Sequence, residues 1–133
     1  MDYKITLEDV RSKFADDRFA TENGAVIEEI GDHTATCSLN ITDSHRNAMG
    51  AVMGGTYFML ADFTFAVAAN AEKMGCVTLH ADISFLGTAK GNKLIAKASC
   101  LKDGKTTVCY RVDVMDELGN LTSTVTITGF RVG

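Results

Sequence analysis

The chain lacks proline, any Cys-x-x-C pair, any excess of basic charge and any long uninterrupted apolar run. Each absence removes a class of protein. Without proline there is no proline-rich linker, and no repeat or low-complexity segment interrupts the sequence. No stretch reaches the ~18 consecutive apolar residues that a membrane-spanning helix needs. Acidic residues outnumber basic ones 17 to 13, for a net charge of −4. No basic stripe is therefore available for a nucleic-acid backbone, and no polybasic anchor for an anionic membrane. Any anionic ligand must be held by local lysines. Cys37, Cys76, Cys100 and Cys109 have neither the mutual spacing nor the histidine spacing of a zinc or redox site. They read as reduced core cysteines, and no metal is expected. The opening Met1-Asp2-Tyr3-Lys4 lacks the basic-then-apolar order of a leader peptide, so a cytoplasmic location is expected.

What remains is an ordinary globular composition, 46% hydrophobic and 23% charged over 133 residues. That length suits one domain, 1–133, burying about two-thirds of its unfolded surface. Thr6-Leu7-Glu8-Asp9 reads as a helix N-cap with acids in the first turn, and Val10 and Phe14 follow at helical spacing. Strands are expected over 25–30 and 34–41, the second alternating Ala35, Cys37, Leu39 and Ile41 with polar residues. A long helix runs from Gly54 to about Ala71, apolar on nearly every side and so expected to be surrounded. In the next strand Val77, Leu79, Ala81, Ile83 and Phe85 alternate with Thr78, His80, Asp82 and Ser84. Three more strands follow, at about 94–101, 106–115 and 121–130, with Asp103-Gly104 and Gly119-Asn120 as turns. The last four strands are expected to form a meander. The class is α+β, an antiparallel sheet wrapped around one helix, and its open edges imply a dimer.

Between Arg46 and Glu72 the one charged side chain is Asp62, in the middle of the long helix. An unpaired buried carboxylate costs several kcal/mol, and a helix centre offers no dipole to offset it. Either Asp62 carries chemistry, or it emerges at a solvated edge or pairs with a distant arginine such as Arg111. Three glycines, Gly50, Gly54 and Gly55, arrive just before the helix. They allow close backbone approach to a helix N-terminus whose free N–H groups suit an oxyanion, although an ordinary loop-to-helix turn uses the same residues.

Asn47, Gly54-Gly55 and Leu60-Ala61-Asp62, at these spacings, resemble the PaaI-like branch of the hotdog thioesterase superfamily. The likeness extends from Phe19-Ala20-Thr21-Glu22-Asn23-Gly24 through Ile83-Ser84-Phe85-Leu86 to Gly104-Lys105-Thr106-Thr107 and Thr128-Gly129-Phe130-Arg131. It implies a hotdog fold, homodimers that pair into homotetramers, and acyl-CoA hydrolysis at the subunit interface with no cofactor beyond the CoA of the substrate. Asp62 matches the acidic residue that activates water or attacks the thioester. Gly54 matches the glycine whose N–H polarises the thioester oxygen. Asn47 matches the residue that orients substrate or water, and Thr78 a Ser/Thr position acting from the partner subunit. Met53, Gly55, His45, Phe85, Lys90 and Lys105 are the expected substrate-binding positions.

Two departures from the commonest pattern stand out. Met53 replaces a histidine, and Gly87-Thr88 replaces an Arg-Pro pair, removing a cation for the CoA phosphates that Lys90, Lys93 or Lys105 would have to supply. Gly54 and Asp62 are also separated by roughly 12 Å along the helix, so a substrate meeting both would take one from each of two chains. A non-catalytic acyl-CoA sensor is the alternative reading, which the retained carboxylate disfavours. A dehydratase would want a histidine in or just before the helix, and none is there.

Overall fold

The computed structural model describes residues 5–132, so the leader reading at Met1–Lys4 lies outside the described residues. Helix α1 (Leu7–Phe14) starts as expected: Thr6 accepts from the Asp9 amide at 3.1 Å and Asp9 accepts from the Thr6 amide at 3.4 Å. A five-residue helix, α2 (Arg18–Glu22), follows and was not anticipated. Strands β1 (Val26–Gly31) and β2 (Thr34–Asn40) form a hairpin whose turn holds His33 in the left-handed region at φ 57°. Helix α3 (Gly54–Asn70) then precedes β3 (Cys76–Phe85), β4 (Lys93–Asp103), β5 (Thr107–Asp116) and β6 (Leu121–Arg131).

These strands make one antiparallel sheet in the order β1-β2-β4-β5-β6-β3, curved around α3. The last four strands are thus not a meander. Only β4, β5 and β6 follow one another, while β3 crosses to the outer side of β6. The β3–β4 connection supplies no hairpin turn, and β4 pairs along its length with β2 instead. Leu60, Phe65 and Val67 of α3 share one buried core with Tyr110, Val112, Val125 and Ile127 of the sheet. Phe65 and Tyr110 stack edge to face, with centroids 5.3 Å apart.

The expectation that α3 is enclosed fails along one stripe. Gly55 is exposed, and Phe58, Met59, Asp62 and Ala66 are partly so. Their spacing of three to four residues marks a single face, which neither the sheet nor the short α2 covers.

The second correction concerns β3. Its pairing with β6 slips between Thr78 and His80, leaving Leu79 as an extra residue. A bulge of this kind reverses the alternation beyond it. Cys76 and Thr78 face α3 ahead of the bulge, and Ala81, Ile83 and Phe85 face it afterwards. Val77 and Leu79, expected on the buried face, are exposed at 49% and 62%. Opposite Thr78 stands Gly129, where a Cβ would lie 2.7 Å from both Cys76 Sγ and the Phe65 ring. Only glycine lets β6 lie this close to the helix at that point.

The β3–β4 crossover is held by Asp116, which is 1% exposed. Its Oδ1 accepts from the amides of Leu118 and Asn120, and its Oδ2 from the amides of Lys90 and Gly91 and the Asn120 side chain, all at 2.8–3.1 Å. Burial alone would raise this carboxyl, but the donors outweigh it and hold it well below the usual carboxylate range. A depressed folded-state value stabilises the fold above the ordinary value of 3.8 and ceases to do so as pH falls through the folded value. Asp116→Ala should therefore denature at clearly lower urea concentration at pH 7. The gap to the native chain should be constant above about pH 5 and narrow progressively on acidification, as urea melts from pH 7 to 3 would show.

Candidate active site

Asp62 lies on the open stripe of α3, half buried, and accepts a 2.8 Å hydrogen bond from Thr78 Oγ1. Both suggested alternatives can be judged directly. Asp62 does reach a partly solvated edge, but its partner is a hydroxyl and not an arginine. Arg111 instead pairs with Asp113 on β5, at 3.1 Å. Thr78 was expected to arrive from a partner subunit. The structure places it beside the Asp62 of its own chain, because the bulge at Leu79 turns it inward.

The carboxyl of Asp62 is pushed above its ordinary value, chiefly by burial. The Thr78 hydrogen bond opposes that rise, and the negative charge of Asp17 adds to it. A neutral hydroxyl partner leaves the carboxylate basic, whereas an arginine would have quenched it.

A cleft of about 220 Å³ opens over Asp62, walled by Asp17, Phe19 and Ala20 from α2 and its N-cap and by Gly55, Phe58 and Met59 from α3. A second cleft of about 210 Å³ shares Phe19, Gly55 and Met59 with it and continues past Met53 to His45 and Ser44. Together they form an apolar trough along the open stripe, from the carboxylate to the start of the helix. Phe19, 74% exposed, is a wall that sequence reasoning missed as a site residue. Five residues are too few to show helical periodicity, and the available signal was a lone bulky aromatic between Arg18 and Ala20.

At the other end of the trough, Met53 occupies the N-cap position of α3 and offers no side-chain cap. The first amides of this 17-residue helix, at Gly54 and Gly55, are thereby left for an external acceptor. Phe85 packs on Gly54 so closely that a Cβ there would lie 3.1 Å from the ring, and it also meets Tyr57 with centroids 6.4 Å apart.

The remaining expected residues divide. Asn47 braces its own loop, its Oδ1 accepting from the amides of Met49 at 2.9 Å and Ala51 at 3.1 Å. Met49, 91% exposed, projects from that loop. His45 touches the trough but is buried. One ring nitrogen meets the Thr42 amide at 2.9 Å, and the other the Asn23 carbonyl at 2.6 Å, so both are occupied in holding the wall. Lys90 and Lys105 do not converge. They sit beyond opposite ends of β4, which spans about 33 Å. Lys105 shares a basic cleft with Lys73 and Arg131 near the start of β3, whereas Lys90 adjoins Asp116. Among the described residues, no group of His, Cys, Asp and Glu is placed to hold a metal ion, and no helix is long and apolar enough to cross a membrane.

The profile of the thioesterase superfamily matches residues 49–123, which include α3, β3 and Asp62. The acyl-coenzyme A thioesterase PaaI of Escherichia coli is 26% identical over 111 residues, 83% of this chain and 79% of that protein. The solved structure of the Escherichia coli PaaI protein from the phenylacetic acid degradation operon shares the fold at TM-score 0.89, with 24% identity over 95% of this chain and 92% of that one. A hypothetical thioesterase of Streptococcus pneumoniae, solved with coenzyme A, matches at TM-score 0.83 and 26% identity, covering 90% and 97% of the two chains.

The raised carboxyl of Asp62 has a consequence for stability. A group that binds its proton more tightly when folded contributes fully below its unfolded value and loses that contribution as pH rises through the folded value. At pH 7 the native chain therefore carries a penalty that Asp62→Asn removes. The variant should melt at higher temperature at pH 7, and the difference should vanish below about pH 3.8, as paired thermal scans would show.

Proposed function

The chain belongs to the thioesterase superfamily, in its PaaI-like hotdog branch, and we propose that its acyl-CoA hydrolysis runs through Asp62 in the α3 trough. It is a thioester hydrolase that cleaves acyl-CoA to free acid and CoA, with CoA entering as part of the substrate. One observation carries the assignment of Asp62: a half-buried, proton-attracting carboxylate, tuned by Thr78, opens into an apolar trough.

In this reading the acyl group lies among Phe19, Phe58 and Met59, with Met53 and Phe85 closing the helix end. The thioester oxygen takes hydrogen bonds from the Gly54 and Gly55 N–H of a second chain, reinforced by that helix's dipole. Asp62 either removes a proton from the attacking water or attacks the carbonyl carbon itself to form an anhydride that water then opens. In both routes the tetrahedral oxyanion collapses, the C–S bond breaks and the CoA thiolate leaves to be protonated. Asn47 orients the substrate from its braced loop, and His45 shapes the wall. Lys105, with Lys73 beside it, suits the CoA phosphates better than Lys90, whose neighbours are acidic, while Arg131 in the same cleft is paired with Asp103.

The distance along α3 constrains the assembly. Gly54 and Asp62 are roughly 12 Å apart, and one carbonyl cannot lie within hydrogen-bonding range of both. We therefore assign Gly54 of one chain and Asp62 of another to each reaction, in a homodimer that pairs into a homotetramer. The exposed Val77 and Leu79 on edge strand β3 and the projecting Met49 supply surface for it. The working unit is the single domain 1–133, acting in the cytoplasm on small, medium or aryl acyl-CoA, without nucleic acid or membrane as partner.

The test is release of free CoA from a panel of aryl, short, medium and long acyl-CoA thioesters. Asp62→Asn should lose roughly 10²–10⁴-fold in kcat while remaining folded. Acyl-CoA bound tightly by the native chain with no turnover would mark a sensor instead. A substitution that leaves only folded monomers should abolish turnover, and a fully active monomer would overturn the shared site.

A further inference from the structure

The Asp62–Thr78 contact joins a helix to an edge strand, and an edge strand has a sheet partner on one side only. On its other side β3 has a substitute. The Asn70 side chain, 4% exposed, accepts from the Cys76 amide through Oδ1 at 2.8 Å and donates through Nδ2 to the Cys76 carbonyl at 2.9 Å. A carboxamide is a peptide group in miniature, and here it reads both backbone groups of Cys76 as a neighbouring strand would. The same Nδ2 also donates to Ala66 O, one helical turn back, at 2.9 Å, which fixes the side chain against its own helix.

Thr78 stands two residues beyond Cys76, just before the bulge. Strand β3 then runs back along α3, against its direction, and touches it at three places: Cys76 on Asn70, Thr78 on Asp62, and Phe85 on Gly54. The middle contact is the chemical one. It lies close to the Asn70 tether and seven residues from the Phe85 contact, so the tether sets where the hydroxyl falls.

We propose that Asn70 is a positioning residue for the reaction: by binding both backbone groups of Cys76 it sets the phase and height of β3, and through Thr78 the environment of the Asp62 carboxylate. This rests on the catalytic reading of Asp62. Its test, however, follows the carboxylate itself and so stands apart from turnover. Asp17 is the ionisable group that faces Asp62 across the cleft among the described residues, and from β3 it is met by Thr78. Asn70 touches neither carboxylate, so any effect it has on the titration must pass through the strand.

The experiment is an NMR titration of the Asp62 carboxyl in the native chain, Asn70→Ser, Asn70→Gln, Thr78→Val and the double variant Asn70→Ser/Thr78→Val, each checked for native fold. Removing the Thr78 hydrogen bond withdraws support from the charged form, so Thr78→Val should move the midpoint up. Asn70→Ser should move it the same way. Asn70→Gln keeps the amide but displaces it by one methylene, and it should do likewise. The double variant should match Thr78→Val alone, because the two act through one bond. Parallel kinetics should show a roughly 10- to 100-fold loss in kcat with little change in KM for Asn70→Ser. A native midpoint in folded Asn70→Ser and Asn70→Gln, or a double variant that shifts further than Thr78→Val, would overturn the proposal. Unimpaired turnover by Asp62→Asn would instead remove the catalytic reading and leave the titration result intact.

Discussion

A 17-residue helix without a polar face has to be covered, and a curved sheet of six strands covers all of it but one stripe. The rest of the structure depends on which residues fall on that stripe. They are small or apolar except for one carboxylate, so the opening is at once a binding surface and the site of the single charge. Closing the stripe with longer elements would have buried Asp62 without a counterion. Leaving it wider would have hydrated the carboxylate and returned it to ordinary acidity.

The strand beside the stripe holds this balance. β3 lies at the edge of the sheet, where the chain tolerates an extra residue, and the extra residue is what turns Thr78 toward the helix. Gly129 makes room opposite, and Asn70 supplies the pairing that a seventh strand would otherwise give. One hydroxyl is aimed by three features, none of which touches the carboxylate. Precision at the site is thus a property of strand phase, and the supporting residues look structural when inspected one at a time.

Much of this was legible in the sequence. The isolated charge at Asp62, the glycines before the helix, the capping pair Thr6 and Asp9 and the turn at Gly119, with its φ of 91°, all announce themselves through local chemistry. What could not be read has a common cause. The strand order depends on pairings between residues far apart in sequence, such as Ser38 with Ile95 and Ile83 with Val125. The bulge at Leu79 is one residue in an otherwise regular alternation and leaves no compositional trace, so Val77 and Leu79 were assigned to the wrong face. Helix α2 is too short for its period to be seen. His45, placed next to a glycine-rich loop, reads as a ligand-facing residue until both its nitrogens are found to be engaged within the wall.

The position of β3 also bears on how much of the chain the site needs. The helix and the strand that carry Asp62 and Thr78 are neighbours in sequence, yet among the described residues the sheet partner of β3 is β6, far along the chain. Asn70 holds β3 at Cys76, and pairing with β6 holds it over the rest of its length. A chain cut short before β6 would keep the carboxylate, the hydroxyl and the tether, and would lose the strand that keeps the bulge in register.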